Sequence, residues 1–425
     1  MLCNYACNTN DHLINRRSFL QGVTAGAAGV AGFGGMIGSA AAQTLTSTQK
    51  HVVVFYLAGG VSQLETWDPK PGTDTGGPFD KIQTSAPGIE ISELLPYTAQ
   101  QMHHLSLIRS INHKVGDHDK GDYIMQTGQR QAPGFEYPYL GSAMAKQLSP
   151  PDSPLPGYIH VGGGGSKAEA AFLGPKYAPL GLSDGQSPAN LNRHASLTEQ
   201  SDIKRRELRG KLSQRFALGR RQAETEVYNQ SYDQAMKLMG KKEIFDFKRM
   251  TDVDLERYGK HDFGRHCLMA RNLIESGVTF VKVTHTNYDT HSENFNFHIE
   301  QLGEFDRPFA AFVADMAARS MLDNVLIIVM SEFGRTPRIN PLAGRDHWGT
   351  AWSICLGGAG IKKGVAVGKT NDNGTAVSDR EVDGGHLFHT YYRAVGLDPT
   401  KSFYDAGRPV AKADPKTSAI TEILA

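Results

Sequence analysis

Four short runs of this sequence place histidines and carboxylates together, each just beyond an apolar stretch. His285, Asp289 and His291 follow the run 278–283; Glu332 and Arg335 follow the run 324–330. Asp346 and His347 come shortly after, and His113, Asp117, His118 and Asp119 follow the run 105–111. Imidazole nitrogens and carboxylate oxygens suit a first-row divalent metal, and ligands spread over several loops need a rigid sheet to hold them. Asp289, His291, Glu332 and His347 are therefore the candidate metal ligands, for zinc first, with manganese or calcium as the alternatives. Such a metal polarises an ester and activates water. Arg335, with its planar fork of donors, suits an anionic substrate oxygen. Each histidine taken alone reads as a loop residue bonded to its neighbours; the grouping at strand ends is what points to a site.

The elements that must position these residues alternate. His51–Leu57 is β-branched, aromatic and apolar and ends at Gly59-Gly60, as a buried strand does. Leu105–Ile111 predicts a second short strand, and Gly121–Thr127 a helix stopped by Gly128. A helix over Phe263–Ser276 is followed by a strand over Val278–Val283, a long helix over Asn294–Ser320 and an apolar strand over Asn324–Met330. A strand at Trp352–Leu356 and a helix at His386–Val395 complete the pattern. Strand and helix in alternation predict an α/β fold with a mostly parallel sheet covered by helices. Two segments stand apart. Pro150–Asn190 is rich in Gly and Pro, and its four glycines at 162–165 lack the Lys-Ser/Thr of a phosphate loop, so they read as a flexible surface loop. Ser196–Arg257 is rich in Lys, Arg, Glu and Gln, with Leu208, Leu212, Phe216 and Leu218 near helical spacing. It predicts two or three amphipathic helices inserted at about 196–260, as a substrate cap or a subunit contact, with Lys204-Arg205-Arg206 as a solvated face.

The amino terminus predicts an address. Asn15-Arg16-Arg17-Ser18-Phe19-Leu20 has the paired arginines of a twin-arginine leader, residues 22–42 carry no charge, and Ala40-Ala41-Ala42 offers a cleavage site. Residues 1–42 are thus expected to be a signal peptide and 43–425 a single domain, periplasmic or secreted, with the twin-arginine translocase as its export partner. The leader is Gly/Ala-rich where a membrane anchor would be Leu/Ile-rich, and no other stretch is apolar enough to span a bilayer. A formal net charge of +1 gives no electrostatic case for nucleic acid. Beyond the leader only Cys267 and Cys355 remain, which read as buried thiols rather than a disulfide scaffold.

The runs 330–338 (Met-Ser-Glu-Phe-Gly-Arg-Thr-Pro-Arg) and 344–348 (Gly-Arg-Asp-His-Trp) resemble the signature of the family labelled domain of unknown function 1501. So do Tyr288-Asp289-Thr290-His291, Gly59-Gly60 with Trp67-Asp68-Pro69-Lys70-Pro71, Thr127-Gly128 and the leader; the likeness covers nearly all of the chain after it. That family is similar to the alkaline phosphatase and sulfatase superfamily. The resemblance implies a mostly parallel sheet sandwiched between helices, with Asp289 and His291 as one pair of metal ligands and His347 as the late histidine. Three departures stand out. Glu332 occupies the place of an Asp-His pair, with Phe333 where the histidine would be, which bears against a second metal. Gly59-Gly60 replaces the aspartate usual after the first strand. Counting nine residues back from Thr127 to the nucleophile position reaches His118, so formylglycine chemistry is excluded. Ser62 is the nearest hydroxyl to the first strand end. Water activated by a metal and a covalent nucleophile then stand as equal alternatives, with His118 or Asp119 as the base for water.

Three readings follow. The first is a metal-dependent hydrolase of phosphate or sulfate esters, acting on an anionic small molecule or polysaccharide. The second is a non-catalytic member of the fold that binds a glycan, surface polymer or partner enzyme. In the third, the metal is purely structural, so that chelation lowers stability alone.

Overall fold

The eight strands of the main sheet lie in an order set by burial. In this computed structural model, residues 49–183, 188, 191–218, 222–245 and 250–425 are described. The leader at 1–42 lies outside them, and Gln49–Ala425 form one compact unit. The strands are β1 (His51–Leu57), β2 (Leu105–Ile111), β3 (Tyr158–Val161), β4 (Leu180–Leu182), β5 (Phe280–His285), β6 (Val325–Met330), β7 (Trp352–Gly357) and β8 (Ala366–Val367). The helices are α1 (Pro96–Gln101), α2 (His118–Thr127), α3 (Leu140–Leu148), α4 (Glu199–Ala217), α5 (Gln222–Met239), α6 (Asp252–Tyr258), α7 (Asp262–Glu275), α8 (Asn294–Ala318) and α9 (Gly384–Ala394).

The sheet order is β8-β2-β7-β6-β1-β5-β3-β4, with the apolar strands β6 and β1 at its centre. Alternate residues of a strand face opposite sides. Val53, Phe55 and Leu57 enter one core with Phe263, Leu268, Phe309 and Phe312 of α7 and α8. Val52, Val54 and Tyr56 enter the other with Met144 of α3 and Leu387 and Tyr391 of α9. A strand buried on both faces must be apolar throughout, and each such side chain stabilises the sheet by about 1.5–3 kcal/mol. The architecture is thus the expected one, a mostly parallel sheet between helical layers. β7 alone runs against its neighbours β2 and β6. Residues 331–351 between β6 and β7 contain no crossover helix, so β7 starts at the sheet end where β6 stopped and must return antiparallel. The loop therefore stays at that end, among the candidate site residues.

Two expectations need correction. The Gly/Pro-rich stretch 150–190 is not simply loop, since β3 and β4 extend the parallel sheet from it. Gly162 donates its N–H to the Leu182 carbonyl, and a Cβ on Gly165 would lie 2.5 Å from the Pro179 carbonyl oxygen. These glycines admit close backbone approach at a sheet edge rather than flexibility. The helical insertion is present as α4, α5 and α6, yet α4 has no buried residue along its 19 positions. Its apolar residues face outward. Cys267 and Cys355 are buried free thiols, as expected.

Buried histidines, among them one on β3 and one on β5, weaken the fold in acid. His160 on β3 is held between the Gly164 carbonyl and Thr284 Oγ1, and His285 between the Tyr288 hydroxyl and Glu304. Burial pushes His160 down to about 3, helped by the Lys282 charge, and pushes His285 down to about 4 against the pull of Glu304. An unfolded histidine titrates near 6.5, so below that pH the unfolded chain binds protons that the folded chain refuses. Stability is expected to fall as pH drops from about 6.5 to 4, on the order of 1 kcal/mol per pH unit for each histidine. Thermal melts with a chelator present, between neutral pH and pH ~4, check this. A flat melting temperature across the window would contradict it.

Candidate metal centre

The carboxyl ends of β1, β5 and β6 meet at one point, and three turns bring their side chains together. β1 ends in Ala58-Gly59-Gly60, with Gly59 at φ +116°. A Cβ at Gly59 would lie 2.5 Å from the Asp289 nitrogen and 2.8 Å from the Tyr288 carbonyl carbon. Only glycine satisfies both the backbone angle and the contact. Beyond β5 the chain reverses at Asn287, φ +73°, and the buried Tyr288 pins the turn by its hydroxyl to His285 Nδ1, 2.9 Å. Asp289 and His291 emerge from that turn. Beyond β6, Gly334–Arg335 pairs antiparallel with His347–Trp348, with His347 opposite Arg335. This hairpin delivers His347. α2 supplies the fourth residue. Asp117 caps the helix by accepting from the Lys120 N–H, which leaves His118 at the first helical position.

Gly59→Ala is expected to lose about 2–3 kcal/mol, from the strained φ and the clash with backbone, and to weaken any ligand held through Asp289. A urea titration reads the first effect; an unchanged midpoint would mean that the Asp289 turn yields freely.

His118, Asp289 and His347 bring ligand atoms within 4.8 Å of one another. His291 joins them. Its Nε2 lies 2.9 Å from His347 Nε2 and 3.2 Å from Asp289 Oδ1, which is 3.0 Å from His347 Nε2. His118 Nε2 lies 3.4 Å from Asp289 Oδ2. Each histidine is also tied from behind through Nδ1: His118 to Glu332 Oε1 at 2.8 Å, His291 to Asp346 Oδ1 at 2.8 Å, His347 to the Gly116 carbonyl at 2.7 Å. A carbonyl only accepts, so His347 Nδ1 carries the proton, and the ionised carboxylates demand the same of the other two. All three Nε2 atoms then point inward, towards the Asp289 carboxylate. Two such nitrogens 2.9 Å apart repel unless a proton or a cation lies between them. This donor set fits a divalent metal: outward nitrogens fixed by acceptors and inward nitrogens converging.

The expected residues fall into three groups. Asp289, His291 and His347 stand where a metal would be held, and His118, expected as a base, stands with them. Glu332 faces elsewhere. Its Oε1 accepts from the Gly59 N–H and from His118, while Oε2 accepts from the Tyr56 and Ser331 hydroxyls. With both oxygens occupied and the residue buried, Glu332 orients His118 instead of ligating. Arg335 is 0% exposed, and its guanidinium donates to the carbonyls of Gly59, Gly60 and Arg345 and to Asp289 Oδ1. Four of its five N–H donors are thus taken and the side chain is buried, so Arg335 is a brace beneath Asp289. Asp119 is exposed on α2 with no bond to the cluster. Ser62 is buried, which removes it as a nucleophile. Phe333 packs between the rings of His118 and His347, with centroids 4.9 and 4.4 Å away, and makes an apolar floor where a second set of ligands would be needed.

Burial raises the Asp289 carboxyl, but Arg335 and His347 outweigh it and bring it to about 2, so the group is anionic at neutral pH. His291 holds the exposed Asp346 below the usual carboxylate range. Sequence reasoning missed Asp346, Gly116 and Asn340, which donates to the His291 carbonyl at 2.8 Å. The run Arg345-Asp346-His347 was the available signal.

Comparison with known proteins adds the following. A family profile described as a protein of unknown function (DUF1501) matches residues 49–424. No curated protein matches the chain. Among solved structures, Ps i-CgsB is similar at 10% identity and TM-score 0.42, over 82% of this chain and 73% of that one. The lipoteichoic acid synthase LtaP from Listeria monocytogenes is similar at 7% identity and TM-score 0.39, over 87% and 76%. The alkaline phosphatase from the Antarctic bacterium TAB5 is similar at 14% identity and TM-score 0.37, over 82% and 98%. These likenesses are distant, and the architecture stands on its own strand order.

Proposed function

Because the chain belongs to the family described as a protein of unknown function (DUF1501), whose description assigns no chemistry, we propose an activity from the site itself: metal-dependent hydrolysis of a phosphate or sulfate ester. The observation that carries this reading is the facing pair His291 Nε2 and His347 Nε2, 2.9 Å apart beside Asp289, with each ring tied through Nδ1. His118, Asp289, His291 and His347 would hold one metal, and a mixed imidazole and carboxylate set favours zinc. Bound there, a divalent metal supplies a Lewis acid for an ester oxygen and lowers the pKa of water.

The chain's own residues do the rest. Glu332, Asp346 and the Gly116 carbonyl fix the tautomer and the plane of the three rings. Arg335 keeps Asp289 anionic and immobile. The Asp289 and Asp346 carboxylates gather at the centre with the Arg335 charge beside them, and a dication bound there would favour an anionic ester. The side chains of Asp289 and His291 are each 48% exposed, so the centre is open enough for a bulky ester, including one on a polysaccharide. His118 occupies the position that the sulfatase spacing gives to a nucleophile, which supports activated water over a covalent intermediate. The paired arginines 16 and 17 support export through the twin-arginine translocase, with activity in the periplasm or outside the cell.

Metal analysis by mass spectrometry on the natively exported protein tests this. About one equivalent of zinc is expected, removed by chelation together with activity against a panel of phosphate and sulfate esters, and both restored by added zinc. A folded protein without stoichiometric metal would sink the reading. Metal whose removal lowers only the melting temperature would make it structural.

A further inference from the structure

Helix α4 carries its apolar side chains on the outside. Leu208, Leu212 and Phe216 are 57%, 58% and 56% exposed, and no residue of the helix is buried. At 100° per residue, these three positions span about 80° of the helix circumference. Four basic residues share that face. Lys204, Arg205, Lys211 and Arg215 all lie within about 60° of Leu208, and the nearest carboxylates, Glu207 and Asp202, lie about 100° or more away. All four basic residues are exposed, and none takes part in an ion pair among the described residues.

The attachment to α5 runs along one flank of that face, since Arg209 lies about 100° from Leu208. Arg209 stacks over the Tyr232 ring at 3.7 Å and donates to Asn229 at 2.7 Å and Asp233 at 3.2 Å, which binds α4 to α5. Beside that seam, Leu212, Phe216 and Tyr228 line an open groove of about 500 Å³, with Tyr228 58% exposed. The free face is therefore apolar, cationic and grooved.

We propose that this face docks on an anionic phospholipid bilayer surface. Charge complementarity selects the occupant. Two copies facing one another across a two-fold axis would oppose eight cations with no carboxylate in the face, whereas acidic headgroups neutralise all four on each chain. Apolar and basic side chains interleave here rather than segregate. Leucine and phenylalanine then reach the acyl boundary while the long Lys and Arg stems keep their charges at headgroup level. No helix among the described residues is long and apolar enough to cross a membrane, so the contact is peripheral. The inference does not depend on the metal centre.

The test is cosedimentation of the purified full chain with phosphatidylcholine vesicles, with and without phosphatidylglycerol. Binding is expected only when phosphatidylglycerol is present, and it should weaken with added salt. Lys204→Glu/Arg205→Glu/Lys211→Glu/Arg215→Glu should reduce it roughly 100-fold. Leu208→Asp/Leu212→Asp/Phe216→Asp should abolish it. The replaced side chains are exposed, so melting temperatures should not change, and a variant that does melt lower is replaced by Leu208→Asp alone. Equal binding to neutral vesicles, or binding that survives both variants, overturns the proposal. A concentration-dependent dimer lost in the triple aspartate variant would give the face to a second copy and also overturn it.

Discussion

With alanine at position 347, the protein is expected to fold normally and to lose the metal proposed for the centre. The His347 side chain is 21% exposed and sits at the end of a two-residue hairpin strand, so truncating it removes little core. Its Nε2 touches both Asp289 and His291, which makes it the hub of the ligand set. Replacing a partner behind a ligand typically costs 10–100-fold in metal affinity, so removal of the ligand itself should cost more than about 100-fold. Asp346→Asn, which keeps its shape but weakens the hold on His291, belongs in that smaller range of about 10–100-fold. Asp119→Asn should change nothing, because Asp119 lies outside the cluster. Competition titrations with a chromogenic chelator would rank the three. Full metal retention in His347→Ala would refute the ligand set, and a deep loss in Asp119→Asn would return that residue to the centre.

The contrast between these variants shows which parts of the site are legible in a sequence. Asp289, His291 and His347 stand just beyond apolar strands, and strand ends of a parallel sheet are where sites form. That rule needs only the strand pattern. His118 follows the apolar run 105–111 and is also the position nine before Thr127, and both readings left its role open. The helix expected from Gly121 in fact starts at His118, because 117–120 is wholly polar and gives no apolar period, although Asp117 was available as a cap. Glu332 and Arg335 satisfy the same strand-end rule and yet turn inward. Nothing in the sequence states that four acceptors surround the Arg335 guanidinium or that two hydroxyls and an N–H fill the Glu332 carboxylate. These are tertiary contacts, between residues more than 200 positions apart in the case of Gly59 and Gly60. The same limit hides β3 and β4 within glycine and proline, and hides the outward turn of α4, whose leucine spacing alone predicts a buried stripe.

Glu65→Ala is expected to destabilise the fold by about 3–5 kcal/mol, because it leaves a buried guanidinium unpaired. Glu65 and Arg345 are both 0% exposed, joined at 2.8 Å through Oε1 and at 3.1 Å through Oε2. Burial pushes the Glu65 carboxyl up, and Arg345 and His298 together bring it below its ordinary value, so it is ionised in the fold. Arg345 also donates to the carbonyls of Thr75, Thr336 and Pro337, while Glu65 accepts from Asn294 at the start of α8. The pair therefore ties the segment after β1 to the loop that carries Asp346 and His347. Its loss should reach the metal centre as well as the fold. The double variant Glu65→Ala/Arg345→Met separates the two effects. Removing both charges eliminates the unpaired ion, so urea midpoints should recover a large part of the lost stability. Metal affinity should stay low, since replacing Arg345 removes its contacts to the Thr75, Thr336 and Pro337 carbonyls. Recovery of both together would mean that Glu65 and Arg345 serve stability alone, and that the hairpin by itself places His347.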